Sequence, residues 1–170
     1  PVPVPTRVSD DPGRLPFAPA EVDLPAALPS PPLIRVELTP RRDYAFAAGV
    51  AGIRATLVRD LTDVPLQPLT GVPVWLQWQD ASIAAKPWVD GPIRSVTDAS
   101  GDFAAVLRLT QAQQPVLDAT KGVSLRLLAT YTGITQHSNP FQIPQGRVVD
   151  MPGPADSNKK PAFAWTGFSP

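Results

Sequence analysis

Proline does most to limit what this chain can become. It supplies 23 of the 170 residues, and ten of those fall within the first 32, from Pro1-Val2-Pro3-Val4-Pro5 to Pro29-Ser30-Pro31-Pro32. Each proline fixes its own φ, offers no N–H, and pushes the preceding residue out of the α region. Residues 1–32 therefore read as an extended arm of loop or polyproline-II character, not as a helix. The arm also carries Val2, Val4, Val8, Leu15, Phe17, Val22, Leu24 and Leu28, whereas solvated linkers are poor in such side chains. Two readings stand: a disordered tail with incidental apolar residues, or an arm lying in a groove on its own domain or a neighbour. Phe17 and Leu24 are its partner-binding candidates.

Between residues 33 and 143 the pattern changes to period two. Ile34, Val36 and Leu38 alternate with Arg35, Glu37 and Thr39, and Ile53, Ala55 and Leu57 alternate with Arg54, Thr56 and Val58. Val72, Val74, Leu76 and Trp78 share one face; Phe103, Ala105, Leu107 and Leu109 share another; Val123, Leu125, Leu127, Ala129 and Tyr131 form the last long run. Side chains alternate sides along a strand, so these runs predict half-buried antiparallel strands. Turn-forming pairs separate them: Thr39-Pro40, Thr70-Gly71, Asp90-Gly91-Pro92, Ser100-Gly101-Asp102, Lys121-Gly122 and Thr132-Gly133. About six to eight short strands punctuated in this way predict an all-β sandwich over 33–143. The expected core is Ile53, Leu57, Val74, Leu76, Phe103, Leu107, Leu125 and Leu127. The helical candidate, residues 110–118, is limited to a turn or two by Pro115.

Residues 144–170 lose the periodicity and read as a second extended arm. Pro152-Gly153-Pro154 and Asp156-Ser157-Asn158-Lys159-Lys160-Pro161 are linker-like, and the chain then reaches Phe163-Ala164-Trp165-Thr166-Gly167-Phe168. Three aromatics so close together form an apolar anchor. Phe163, Trp165 and Phe168 either fold back onto the sandwich or dock on a partner.

Composition removes several chemistries. Lys plus Arg and Asp plus Glu balance at 15 each, without the basic surplus that nucleic acid or an anionic membrane attracts. Zero net charge gives little colloidal repulsion, which suits self-association. The absence of cysteine excludes disulfides and thiolate chemistry, and the single His137 excludes multi-histidine metal sites. No apolar run approaches the roughly 18–20 residues a membrane span needs. No charged n-region followed by an apolar h-region opens the sequence. Removal of an initiator methionine before Pro1, and so cytoplasmic synthesis followed by entry into a particle, is the expectation; a periplasmic or extracellular location remains open.

The pieces Ile53-Arg54-Ala55-Thr56-Leu57-Val58-Arg59-Asp60, Pro68-Leu69-Thr70-Gly71-Val72-Pro73-Val74 and Arg94-Ser95-Val96-Thr97-Asp98-Ala99-Ser100-Gly101-Asp102-Phe103 resemble the transthyretin-like, carboxypeptidase regulatory-like domains, a branch of the Ig-like sandwiches. The resemblance implies a strand, a proline-containing loop, a Gly-Val-Pro-Val strand, and a strand ending Thr-Asp that turns into Gly-x-Phe. It implies an accessory or scaffolding module more than an enzyme. The stretch from Trp78 to Pro92 is longer than that pattern needs, and the arms have no counterpart in it. Asp43-Tyr44-Ala45-Phe46-Ala47-Ala48-Gly49 also resembles small subunits of phage-tail-like contractile particles, which implies a candidate setting.

Candidate sites compete with simpler roles. Asp98-Ala99-Ser100-Gly101-Asp102 has the look of a calcium loop, yet the third oxygen ligand and distal glutamate are missing. A hairpin turn with Gly101 at positive φ and the Asp98 side chain on the backbone accounts for all five residues. His137 stands before a proline with no Gly-x-Ser-x-Gly elbow in the chain, so a solvated or hydrogen-bonded histidine is expected over a catalytic triad. Glu21, Glu37 and the aspartates give no glycosidase pair, since Asp60, Asp63, Asp80, Asp90 and Asp98 fall in loops or at strand ends. Trp75 and Trp78 differ by an odd number and must face opposite ways; Trp88, in the 80–92 insertion, is the surface aromatic expected to meet a partner.

These readings converge on a non-enzymatic structural subunit. Its partners would be protein subunits of a larger assembly, copies of itself included, with no cofactor, nucleic acid or membrane insertion. The alternative is a carbohydrate- or peptide-binding sandwich that uses the 80–92 loop.

Overall fold

The computed structural model describes residues 4–8, 20–24, 46, 49–80, 84–109, 122–151 and 162–170. The chain divides into two compact units, Pro1–Ala45 and Phe46–Pro170. In the first, strands β1 (Val4–Val8) and β2 (Ala20–Leu24) form an antiparallel pair, with Val4 opposite Leu24, Thr6 opposite Val22 and Val8 opposite Ala20. The proline-rich segment thus contains a ribbon where the sequence suggested a loop. Each strand of a two-stranded ribbon keeps one edge without a ladder, and proline is tolerated there because no N–H is required. The strand expected at residues 34–38 and the helical turn expected at 110–118 lie outside the described residues.

The second unit is a β-sandwich. Sheet I is built on β3 (Ala51–Val58), which pairs antiparallel with β6 (Asp102–Leu107) on one edge. On its other edge β3 pairs in parallel with two short strands in succession, β10 (Val148–Asp150) and β11 (Ala162–Ala164). Sheet II runs β5 (Trp88–Val96), β4 (Pro73–Gln79), β7 (Val123–Tyr131), all antiparallel neighbours. Its far edge is again split, between β8 (Ile134–His137) and β9 (Phe141–Ile143). The region read as a second arm, residues 144–170, thus contributes two strands to a sheet and a 3-10 turn at Trp165–Gly167 among its described residues.

The inward sides of both sheets meet in one core. All eight predicted core residues are buried, joined by Trp78, Val123, Ala129, Ile143 and Phe168 among others. In β4 the alternation is strict: Val74, Leu76 and Trp78 point in, and Trp75, Gln77 and Gln79 point out. Strand β6 is buried on both sides, Ala104 and Val106 included. Its alternation is therefore weaker in the structure than in the sequence, because small side chains such as alanine fit either face.

Three local devices fix the register. At the β5–β6 turn the Asp98 carboxylate accepts from the amides of Ser100 (2.8 Å) and Asp102 (2.9 Å), and Gly101 has φ +73°. A side chain at Gly101 would press to 2.5 Å from the Leu57 carbonyl oxygen. This is the hairpin reading of the acidic cluster, with its carboxylate spent on backbone amides. Where sheet II changes edge strand, Pro140 has no N–H to give, and the buried Ser138 supplies the missing pairing. Its N–H donates to the Leu127 carbonyl (2.8 Å), and its hydroxyl accepts from the Leu127 N–H (3.0 Å). Ser95 ties the two sheets together, its hydroxyl donating to the Ala104 carbonyl at 2.6 Å.

One expected turn is a strand. Asp90-Gly91-Pro92 lies within β5, where the register against β4 shifts between Trp75 and Gln77. A side chain at Gly91 would stand 2.8 Å from the Leu76 carbonyl oxygen. Glycine there marks close backbone approach at a bulge, and Pro92 is admitted because β5 is an edge strand.

Candidate interaction surface

The antiparallel order places the ends of β3, β5 and β7 and the starts of β4, β6 and β8 at one end of the sandwich. The segments there are residues 59–72, 97–101 and 132–133. Backbone bonds knit them together: the Leu57 N–H donates to the Gly101 carbonyl, that of Gly71 to Thr97, and that of Leu69 to Leu57. All the exposed large apolar side chains among the described residues gather at this end: Leu61, Val64, Leu66, Val96 and Ile134. Val64 is 97% exposed.

The loop that carries three of them is held in shape by polar contacts. The Arg59 guanidinium donates to both oxygens of Asp63, at 2.9 and 3.1 Å, in the two-pronged geometry that fixes orientation as well as distance. Asp60 accepts from the amide (2.8 Å) and hydroxyl (2.7 Å) of Thr62, and from the Thr166 hydroxyl (3.0 Å). The Thr62 bonds, then that of Thr166, hold the Asp60 carboxyl below its ordinary value, while Asp63 raises Arg59. Both groups are therefore charged at neutral pH. Two apolar side chains flank the fully exposed Val64, and polar bonds rather than a core order the loop that carries them. Among the described residues of these segments, Asp60, Asp63 and Asp98 outnumber Arg59, so this end carries an acidic surplus.

The outer face of sheet II has a different chemistry. Arg94 stacks over Trp75 with its guanidinium carbon 4.1 Å from the ring centroid, and Arg126 over Trp88 at 4.7 Å. Between the two stacks, Asp90 accepts from the Gln77 amide (2.6 Å) and the Trp75 indole (3.2 Å), and Gln77 accepts from Arg126 (2.6 Å). Partial burial pushes the Asp90 carboxyl up, but the bonds from Gln77, Trp75 and Arg94 outweigh it and leave it below the usual value. Burial lowers Arg126, with Asp90 opposing. A sugar would stack on a Trp face, and here each guanidinium occupies one.

The partner candidates separate cleanly. Trp88 opens β5 opposite Gln79 and belongs to this outer face. Phe163, Trp165 and Phe168, which in sequence could dock on a partner or fold back, fold back. Phe163 sits opposite Leu57 in β11, with ring centroids 6.5 Å from Phe103, 5.9 Å from Phe141 and 6.1 Å from Phe168. Trp165, in a 3-10 turn (Trp165–Gly167), packs edge-on to Tyr131 at 5.6 Å, and Phe168 is buried. The segment then bridges to sheet II: the backbones of Ser169 and His137 exchange two bonds of 2.8 and 2.9 Å. The His137 ring places Nδ1 3.0 Å from the Ser138 carbonyl oxygen, a hydrogen-bonded histidine as expected. Leu24 ends β2 in the first unit, and Phe17 lies outside the described residues.

Sequence reasoning missed the apolar loop. Its signal was present, as Leu61, Val64 and Leu66 stand among Pro65, Pro68 and two aspartates without strand periodicity. Among the described residues no group of three or more His, Asp or Glu side chains could hold a metal ion, and no helix is long and apolar enough to cross a membrane. No protein-family model, curated protein or solved structure matches this chain.

Proposed function

We propose that this chain is a non-enzymatic structural subunit whose sandwich binds neighbouring protein subunits in a larger assembly. The observation that carries the proposal is the end of the sandwich where Leu61, Val64, Leu66, Val96 and Ile134 are exposed together. Isolated surface apolar residues are ordinary, but five at one end of the sandwich, three of them on a loop held by its own hydrogen bonds, suit contact with another protein. Burying one such side chain contributes about 1.5–3 kcal/mol. The surplus of aspartate around the tip suits a partner surface with Lys or Arg at its rim and disfavours an anionic lipid surface.

An Ig-like, transthyretin-like assignment is part of the proposal. What supports it is that Gly71-Val72-Pro73-Val74 leads into β4 and that the 98–101 turn leads into Phe103 of β6. A phage-tail-like contractile particle is an assembly of the kind envisaged. The stacked arginines on Trp75 and Trp88 favour protein contact on the sheet face over sugar stacking.

The test is sedimentation of native extracts, followed by imaging of the fraction that contains the chain. The chain is expected in a particle far larger than itself, and the pair of substitutions Val64→Asp and Leu66→Asp is expected to release it without moving its melting midpoint. A chain that sediments alone in native extract overturns the proposal.

A further inference from the structure

Strands β10 and β11 run in the same direction along the same edge of β3. The last partner of β10 is Arg54 and the first partner of β11 is Thr56. Two residues of strand separate them, roughly 7 Å. A direct continuation would need only the single residue opposite Ala55, yet residues 151–161 intervene. Fully extended, that length of chain reaches on the order of 35–40 Å. The tether is several times longer than seating the segment on its own sandwich requires.

The seat itself does not depend on which chain supplies the segment. Residues 162–164 pair with β3; the Thr166 N–H donates to the Arg59 carbonyl and its hydroxyl to Asp60; Ser169 pairs with His137. Phe163 and Trp165 lie against Phe103, Phe141 and Tyr131. Contacts internal to the segment, such as Trp165 against Phe168 at 5.7 Å, travel with it. Every other contact is non-covalent and would be made identically by a segment from another copy. The choice between the two arrangements therefore rests on tether length and local concentration, since short tethers correspond to effective concentrations of about millimolar. In a dilute monomer the chain's own segment wins. In an array that holds copies within reach of the tether, a neighbour's segment competes on equal terms.

We propose that residues 162–170 are an exchangeable segment, seated either on their own sandwich or in the same groove of a second copy of this chain. The proposal deepens the assembly reading and rests on it for the setting in which copies crowd together. Its test needs only the purified full chain, so its failure and that of the assembly reading can be told apart.

Because the chain has no cysteine, one engineered pair can report the exchange. His137 and Ser169 exchange both backbone bonds, which puts their Cα atoms about 5.5 Å apart, within disulfide range. The double variant His137→Cys/Ser169→Cys is expected to close an intramolecular bridge in dilute solution. The two single variants, mixed at about millimolar concentration under mild oxidant, are expected to give a disulfide-linked heterodimer. Its yield should exceed that of either homodimer several-fold and rise with concentration. Deleting residues 153–160 leaves enough chain to span the gap at home but not to reach a neighbour, and should abolish the heterodimer while the double variant still bridges internally. Heterodimer at no more than the statistical ratio of random pairing overturns the proposal. So does a yield unchanged by shortening the tether, or a double variant that forms no bridge.

Discussion

Residues 1–45 and residues 144–170 have much in common as sequence. Both are rich in proline, both scatter large apolar side chains among turn-formers, and period-two alternation is confined to residues 34–38. They fold in different ways. The N-terminal stretch contains a ribbon in which β1 pairs with β2, a two-stranded sheet among the described residues. The C-terminal stretch, in its described residues, pairs with other strands and not with itself. It lends β10 and β11 to β3, buries Phe168, and crosses to His137 in the other sheet. The difference shows that proline content alone does not decide whether a segment joins a fold. What decides is whether a sheet edge stands open beside it and whether its aromatics reach apolar neighbours. β3 offers such an edge, and an open edge is costly to leave in water as a template for aggregation.

The sharpest way to break this comparison is truncation. Removing residues 162–170 takes away the burial of Phe168 and much of that of Phe163 and Trp165. At about 1.5–3 kcal/mol for a fully buried side chain, the expected loss is on the order of 5 kcal/mol in chemical denaturation. Removing residues 1–45 takes away β1 and β2, which among the described residues belong to neither sheet of the sandwich, and is expected to shift the same transition far less. Equal shifts from the two truncations would mean that the two stretches are alike after all.

A single substitution narrows the question to one side chain. Phe168 is 9% exposed and touches both Phe163 and Trp165. Phe168→Ala should cost about 3 kcal/mol, near the low end for a buried phenylalanine because the ring lies at the margin of the core. A loss below about 1 kcal/mol in urea titration would show that the backbone ladder, not the aromatic anchor, holds the segment.

The smallest expected effect lies at the link between the segment and the apolar loop. Asp60 accepts from Thr166, and its folded value lies below the ordinary carboxylate value of about 3.9. A depressed acid contributes fully above its unfolded value and loses that contribution as pH falls through its folded value. Exchange of the Thr166 amide hydrogen, which is bonded to the Arg59 carbonyl, should therefore accelerate in the wild type as pH drops below about 4, beyond the intrinsic chemical trend. Asp60→Ala should remove that acid step. An identical pH dependence in the two proteins would assign the effect to another carboxylate.

What the sequence determined by itself was whatever depends on neighbours a few residues away. Period two sets which side of a strand a residue takes, so the inward positions of β3, β4, β6 and β7 and the opposed faces of Trp75 and Trp78 were legible. So was the Ser100-Gly101-Asp102 turn, because Gly101 needs positive φ and Asp98 needs only the next few amides. Tertiary structure decided what depends on distant partners. Asp90-Gly91-Pro92 has the composition of a turn, yet close approach to the Leu76 carbonyl makes it part of β5. Nothing local marks residues 148–150 and 162–164 as strands; they are strands because β3 leaves one edge unpaired and hydrogen bonds of the ladder need a donor and acceptor there. For Leu61, Val64 and Leu66 the sequence marked a loop without strand periodicity, but their exposure was left to the tertiary structure, since burial depends on what distant parts of the chain pack there.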